Sequence, residues 1–119
     1  MMFTQLSTQV NTDLRAITDL TALLSKGVDS VRPLMAEADD GDNLVVYRVK
    51  NNGRATKDLA QEWQVVVTCW ATTYNAAVQI ADEVIVGLLA NRKYRFVGGE
   101  PQFNEQGQIY TELIFNILK

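Results

Sequence analysis

The chain has 119 residues, of which 47% are apolar and 21% charged, and its net charge is −3. This length suits one ordinary domain with a real hydrophobic core, so we expect a single domain over residues 1–119. The apolar content excludes intrinsic disorder, and no apolar stretch approaches the roughly 18 residues of a membrane span. The first residues lack the basic start and apolar segment of a secretory signal.

The absence of histidine argues against most enzyme chemistry. Without histidine, neither a Ser-His nor a Cys-His relay can form. Cys69 is the single cysteine, so no internal disulfide can form. The net negative charge is a poor match to the basic field of a nucleic-acid-binding protein. We therefore expect no catalytic residues, no cofactor and no bound metal.

The N-terminal third predicts helix followed by an edge strand. Apolar residues recur every three or four positions from Phe3 to Ala16, which indicates an amphipathic helix. A short second helical turn is expected from Leu20 to Ser25, ended by Gly27 in a left-handed conformation. Residues 28–35 contain Pro33, which has no N–H to donate, so they predict an edge strand or an extended connection.

Two strands are predicted next. Leu44 to Lys50 is rich in β-branched and aromatic residues, which favour a strand. Asn51-Asn52-Gly53-Arg54 then predicts a turn, because Asn-Gly accepts the positive φ that hairpin turns need. Apolar residues alternate again from Trp63 to Ala71, so this segment predicts a second strand with one face in the core.

A long helix is predicted from Tyr74 to Ala90, with Thr72 or Thr73 as its N-cap. The apolar arc of this helix is wider than one sheet face requires. We therefore expect either the N-terminal helix or another subunit to pack against its flank.

Two further strands complete the pattern. Tyr94 to Val97 predicts a strand that Gly98-Gly99-Glu100-Pro101 interrupts, and Gln108 to Leu118 predicts a long alternating strand. The order helix, strand, strand, strand, helix, strand, strand indicates an α+β fold. We expect an antiparallel sheet of four to five strands with two helices packed on one face.

Charged residues segregate into loops of opposite sign. An acidic loop spans residues 36–43, and basic residues surround the predicted turn at 50–58. Separate acidic and basic loops suit head-to-tail self-association, although scattered solvated charge is the simpler alternative. The acidic loop lacks the ligand spacing of a calcium-binding EF-hand. We expect assembly contacts in residues 36–43, 50–58 and 98–107. The candidate charged contacts are Glu37, Asp39, Asp40, Asp42, Lys50, Arg54, Lys57, Glu100 and Glu105.

The strand and helix from Glu62 to Leu89 carry a recognisable pattern. The segment reads EWQVVVTCWATTYNAA and continues through Ile80-Ala81-Asp82-Glu83-Val84. Its flanks include Leu20-Thr21-Ala22-Leu23, Val45-Val46-Tyr47 and a final β-hairpin. In these features the chain resembles the tail-completion, or tail-terminator, proteins of long-tailed bacteriophages, and the resemblance covers nearly all of it.

This resemblance implies a structural virion protein with no active-site residues. Subunits of this family close into a ring, typically a hexamer, on the end of a finished tail tube. The implied partners are further copies of the chain, the tail-tube protein and the head–tail connector, with DNA passing through the lumen as cargo. The implied location is the virion tail, after assembly in the bacterial cytoplasm, and no membrane is involved.

Other functions stay open at this stage. A head–tail connector or adaptor subunit of the same particle would differ only in its partner. A non-viral bacterial protein-interaction module would share the surface features but not the particle. An enzyme would need carboxylates or lysines with strongly shifted pKa values in a pocket.

Overall fold

A computed structural model of the chain describes residues 3–34, 42–55, 61–91, 93–103 and 107–117, with backbone only at 52–55 and 61–62. The described residues form one sheet and a set of helices packed against it. In chain order the elements are α1 (Phe3–Arg15), α2 (Thr18–Thr21), a 3₁₀ turn (Gly27–Ser30), β1 (Val31–Pro33), β2 (Leu44–Ala55), β3 (Gln61–Ala71), α3 (Tyr74–Ala90), β4 (Tyr94–Phe103) and β5 (Ile109–Ile117).

The five strands lie in the order β1-β2-β3-β5-β4. Neighbours from β2 to β4 are antiparallel, whereas the short edge strand β1 runs parallel to β2, with Val31 opposite Val45. Helix α1 contacts β1 and β2, and α3 contacts β3, β5 and β4. The predicted α+β class is confirmed. We call the face that carries the helices the inner face and the opposite one the outer face.

The core lies between the helices and the inner face. Alternate residues of β3 and β5 are buried there, as the pleat of a strand requires, and both helices add an apolar stripe. Each fully buried aliphatic or aromatic side chain contributes about 1.5–3 kcal/mol relative to exposure. The largest fully buried side chains are Phe115, Leu6, Leu14, Leu20, Ile80, Leu88, Leu113, Val10, Val31, Val45, Val65 and Val67.

Helix α3 has the predicted bounds, Tyr74–Ala90. Thr73 caps it, because the Thr73 hydroxyl oxygen accepts a hydrogen bond from the Ala76 amide at 3.1 Å. One flank of the helix packs against the N-terminal segment at Gly87. A Cβ there would overlap three side-chain atoms of Ile17. The N-terminal helical region therefore covers this flank. It is the first of the two partners that we expected for the wide apolar arc.

The segment between α1 and β1 differs from its predicted form. The second helical turn is α2, Thr18–Thr21, instead of Leu20 to Ser25. Gly27 is left-handed, with φ of +59°, but it starts the 3₁₀ turn rather than ending a helix. The left-handed conformation predicted for Gly27 is correct, but its predicted role at the end of a helix is wrong. A left-handed residue can precede a turn as well as follow a helix.

The predicted turn after Lys50 is wrong, and the predicted interruption at Gly98-Gly99 is a bulge within one continuous strand. Strand β2 runs through Asn51-Asn52-Gly53-Arg54 to Ala55, with a register shift between Asn51 and Ala55 instead of a turn. Strand β4 runs through Gly98-Gly99-Glu100-Pro101, with a bulge between Phe96 and Gly98. In both places pairing with a neighbouring strand overrides the local turn preference, and the bulge absorbs the irregularity.

Candidate assembly surfaces

The structure describes both the backbone and the side chain of three predicted contact residues. They are Asp42, Lys50 and Glu100, and all three are exposed. Arg54 is described only by its backbone, within β2. The remaining predicted contacts lie outside the described residues, and they are Glu37, Asp39, Asp40, Lys57 and Glu105.

Lys50 and Glu100 share the outer face but lie on opposite sides of it. Lys50 is on β2 and Glu100 on β4, and strands β3 and β5 separate the two. Three strand spacings amount to about 14 Å. The structure therefore does not bring these two charges together within one chain.

A hydrogen-bonded chain of side chains holds Glu100 on the outer face. The Gln102 amide donates to a Glu100 carboxylate oxygen at 3.2 Å, and the Tyr110 hydroxyl donates to the Gln102 amide oxygen at 2.8 Å. The Tyr110 ring in turn lies against Trp70, with ring centroids 4.7 Å apart. Glu100 is thus an exposed charge in a defined position, because linked hydrogen bonds fix side-chain orientation.

Asp42 lies at the other side of the sheet, where β2 begins. The next residue, Asn43, is tied to the turn after α2. Its amide donates to the Ser25 hydroxyl oxygen at 3.0 Å, and its carbonyl accepts from the Ser25 amide at 2.9 Å. The end of the acidic loop is therefore anchored beside the β1 edge.

An exposed apolar surface that the sequence analysis did not locate runs along β4. Tyr74, Pro101, Phe103 and Ile109 line a hollow of about 340 Å³ between the start of α3 and the end of β4. Phe103 is 79% exposed. We call the exposed apolar residues of this region the β4 strip, and they are Tyr74, Phe96, Val97 and Phe103.

The β4 strip is exposed although α3 contacts β4 as well as β3 and β5. Tyr74, the first residue of α3, lies at the opposite end of the helix from the contact between Gly87 and Ile17, and it lines the hollow together with Phe103. Gly99 allows β4 to lie close to β5, because a Cβ there would overlap the Glu112 carbonyl oxygen of β5. The width of the apolar arc on α3 was the sequence signal for this surface, and the exposed phenylalanines of β4 were missed.

A second apolar surface lies at the opposite edge of the sheet. Leu23 follows α2, Val28 is in the 3₁₀ turn and Leu34 follows β1, and all three are exposed. Leu34 is 69% exposed and has a φ of +65°, a conformation that bulky residues rarely adopt. We call these three residues the β1 patch.

The two groups with shifted pKa values are buried and belong to the core. Burial raises the pKa of the Cys69 thiol. Burial also raises the pKa of Tyr94, together with the hydrogen bond that its hydroxyl donates to Asp13 at 2.7 Å. Among the described residues no cluster of three or more histidine, cysteine or acidic side chains could hold a metal. No helix in this part of the chain has the length and apolar character of a membrane span.

Comparison with known proteins gives a structural match. No protein-family model and no curated protein sequence matches the chain. A chain in the solved structure of the virion of a native gene transfer agent particle is similar, with a TM-score of 0.69 and 13% sequence identity. The match covers 91% of this chain and 89% of that chain. At this identity the match shows that the two chains share a fold.

Proposed function

We propose that the chain is a structural subunit of a phage or prophage tail. In this role it caps the end of the tail tube as an oligomeric ring and provides the surface that joins the head. Its partners are further copies of itself, the tail-tube protein and the head–tail connector, with DNA passing through as cargo. The role is structural and not enzymatic.

The observation that carries this proposal is the fold similarity to a virion chain over 91% of the sequence. It agrees with the sequence resemblance to tail-completion proteins, which comes from the residues of β3 and α3. The exposed surfaces add physical support. The β4 strip and the β1 patch lie at opposite edges of one sheet, and two unlike patches on opposite sides of a subunit are what a cyclic assembly requires.

Tube polymerisation in the presence of the chain tests the proposal. A tail-tube protein of a long-tailed phage is polymerised with and without this chain, and tube lengths are measured by electron microscopy. We expect shorter tubes that carry a ring at one end. Tubes of unchanged length with bare ends would overturn the proposal.

A head–tail connector or adaptor is the second candidate. The structural match is to a virion described as a whole, so it fits a subunit on the head side equally well. Pull-down of portal-side and tube-side proteins with the purified chain separates the two functions. Binding to the portal side only would favour the connector.

A further inference from the structure

Charged side chains lie next to the apolar surfaces at both edges of the sheet. On the β4 edge, Glu100 lies on the outer face close to Pro101 and Phe103 of the hollow, and Arg95 lies on the same face near the start of the strand. On the opposite edge, Arg48 and Lys50 are exposed on β2. The outer face is thus basic at the β2 margin, whereas the β4 margin carries one acidic and one basic side chain.

Leu34 belongs to the β1 patch and lies next to the basic margin of β2. The Leu34 amide donates to the Tyr47 carbonyl oxygen at 2.7 Å, so Leu34 lies beside the residue that precedes Arg48. Strand β1 ends at Pro33. Among the described residues, no strand pairs with β2 beyond Tyr47 on the side away from β3. Arg48 therefore lies at an open margin of the sheet, adjacent to the exposed Leu34.

Neither edge is suited to adding a strand from another chain. The two prolines of the sequence, Pro33 and Pro101, lie one on each edge strand. A proline cannot donate to a ladder of hydrogen bonds, and prolines and bulges at an edge discourage strand addition. The bulge between Phe96 and Gly98 further disturbs the edge of β4. A partner at either edge must therefore be held by side chains.

We propose that a second copy of this chain docks head to tail, with the β4 strip of one copy against the β1 patch of the next and Glu100 opposite Arg48. The inference rests on the proposed ring and specifies its interface. Glu100 and Arg48 carry opposite charges beside exposed apolar groups, so the part of the β4 edge at Glu100 is complementary to the β2 margin and not to itself. A contact between unlike patches generates a ring when the rotation between successive copies closes. Repulsion between like charges disfavours the other pairings of edges.

The register of the sheet sets the offset between copies. Across the strands Glu100 is level with Val46. Two copies side by side without an offset would place Arg95 level with Lys50, which is a repulsive pairing. An offset of two residues, about 7 Å, places Glu100 opposite Arg48. With this offset Arg95 is no longer level with Lys50. The proposed contact therefore has the staggered arrangement.

Charge reversal at the two margins tests this interface. We compare the wild-type chain with Glu100→Arg and Arg48→Glu, measuring ring formation by light scattering, with and without tube ends. Each variant alone pairs like charges at every contact, so we expect it to need at least about tenfold higher concentration to assemble. An equimolar mixture of the two variants regains assembly, because complementary margins then alternate around the ring. The chain with both reversals also regains it.

Two further variants serve as controls. Asp82→Arg makes the same change of net charge as Glu100→Arg on the exposed side of α3, and we expect wild-type assembly. Glu100→Gln removes the charge and keeps an acceptor for Gln102, so it isolates the charge if Glu100→Arg misfolds. It should weaken assembly less than the reversal does.

The outcomes separate this inference from the proposed function. Wild-type rings that cap tubes, together with charge reversals that have no effect, overturn the interface and leave the function standing. Reversals that weaken assembly without recovery in the mixture overturn the head-to-tail pairing. A wild-type chain that forms no ring even on tube ends overturns both.

Discussion

Cys69 is the one thiol of the chain, and it is fully buried in β3. Its raised pKa follows from burial, which disfavours the thiolate. Because the thiolate is the reactive form, we expect a thiol reagent to modify the folded protein at least ~1,000-fold more slowly than the denatured protein, in line with the small population of open states. Absorbance of the released reagent group measures the rate.

A matched control places the thiol at the surface. Thr72 is exposed and lies between β3 and α3, so the chain with Cys69→Ala and Thr72→Cys should react nearly as fast folded as denatured. Rapid modification of Cys69 in the native protein would contradict the position of β3 in the core.

The same thiol and Tyr94 predict a loss of stability at alkaline pH. Both groups have a raised pKa in the folded chain, so the unfolded chain releases its protons first, near the ordinary values of 9.0 and 10.0. Their contribution to stability is complete below these values and falls as the pH rises above them. Urea unfolding between pH 8 and pH 11 measures this fall. Cys69→Ala should reduce the loss of stability that begins near pH 9.

Leu34 is held in a conformation that costs a leucine about 1–2 kcal/mol. Glycine adopts this φ freely but loses more freedom on folding. We therefore expect Leu34→Gly to raise the free energy of unfolding of the monomer by about 0.5–1 kcal/mol. Leu34→Ala shortens the side chain without relieving the backbone, and it should not stabilise. Equal effects of the two substitutions in urea unfolding would show that the backbone carries no strain.

At the scale of elements, the contact between α2 and α3 depends on Gly87. Alanine favours a helix over glycine by about 1 kcal/mol, yet its Cβ would overlap Ile17. We expect Gly87→Ala to lower the free energy of unfolding by about 1–2 kcal/mol, as overpacking does. Urea unfolding followed by circular dichroism measures the change.

Shortening the opposing residue tests the cause. In the Ile17→Ala background there is room for the new methyl group, so Gly87→Ala should be neutral or stabilising there. The two substitutions should therefore couple by about 1 kcal/mol or more. Additive effects would mean that Ile17 does not pack on Gly87.

The elements also show what local sequence can predict. Helix α3 was predictable to the residue because the Thr73 cap and the apolar period lie within the segment itself. Strand β5 was predictable from alternation. Strand β2 was predicted too short, because its continuation past Lys50 depends on pairing with β3. The parallel pairing of β1 with β2 is likewise a property of distant residues, and no local pattern reports it.

The candidate surfaces were predicted less completely than the fold. Lys50 and Glu100 were identified as charged contacts, but their positions at opposite margins of one face depend on the strand order. The exposure of Phe103, at the end of β4 and beside the hollow, depends on where α3 lies on the sheet. Sequence periodicity shows which residues share a face of an element, and it does not show which faces stay uncovered.

At the scale of the whole molecule, Phe103 is the most exposed large apolar side chain of the β4 strip. Its replacement in Phe103→Ser removes little buried area, so the stability of the monomer should change by no more than about 0.5 kcal/mol. Assembly should weaken at least about tenfold, because exposed aromatic side chains are typical anchors of interfaces. Light scattering across a concentration series measures this change.

Val86 provides the comparison for this variant. It is 67% exposed on α3, about 120° around the helix from Tyr74, so Val86→Ser removes a similarly exposed apolar group from a different side of the helix. We expect Val86→Ser to assemble like the wild type. Equal weakening by both substitutions would indicate a general loss of surface hydrophobicity and not a specific contact.

The placement of Pro33 and Pro101 has a consequence for chains that have not yet assembled. Sheets with open, regular edges recruit one another into cross-β fibrils when they accumulate. A proline on each edge strand of this sheet opposes that growth. A concentrated solution of the free chain should therefore resist amyloid formation, while its exposed side chains remain available for contacts with other molecules.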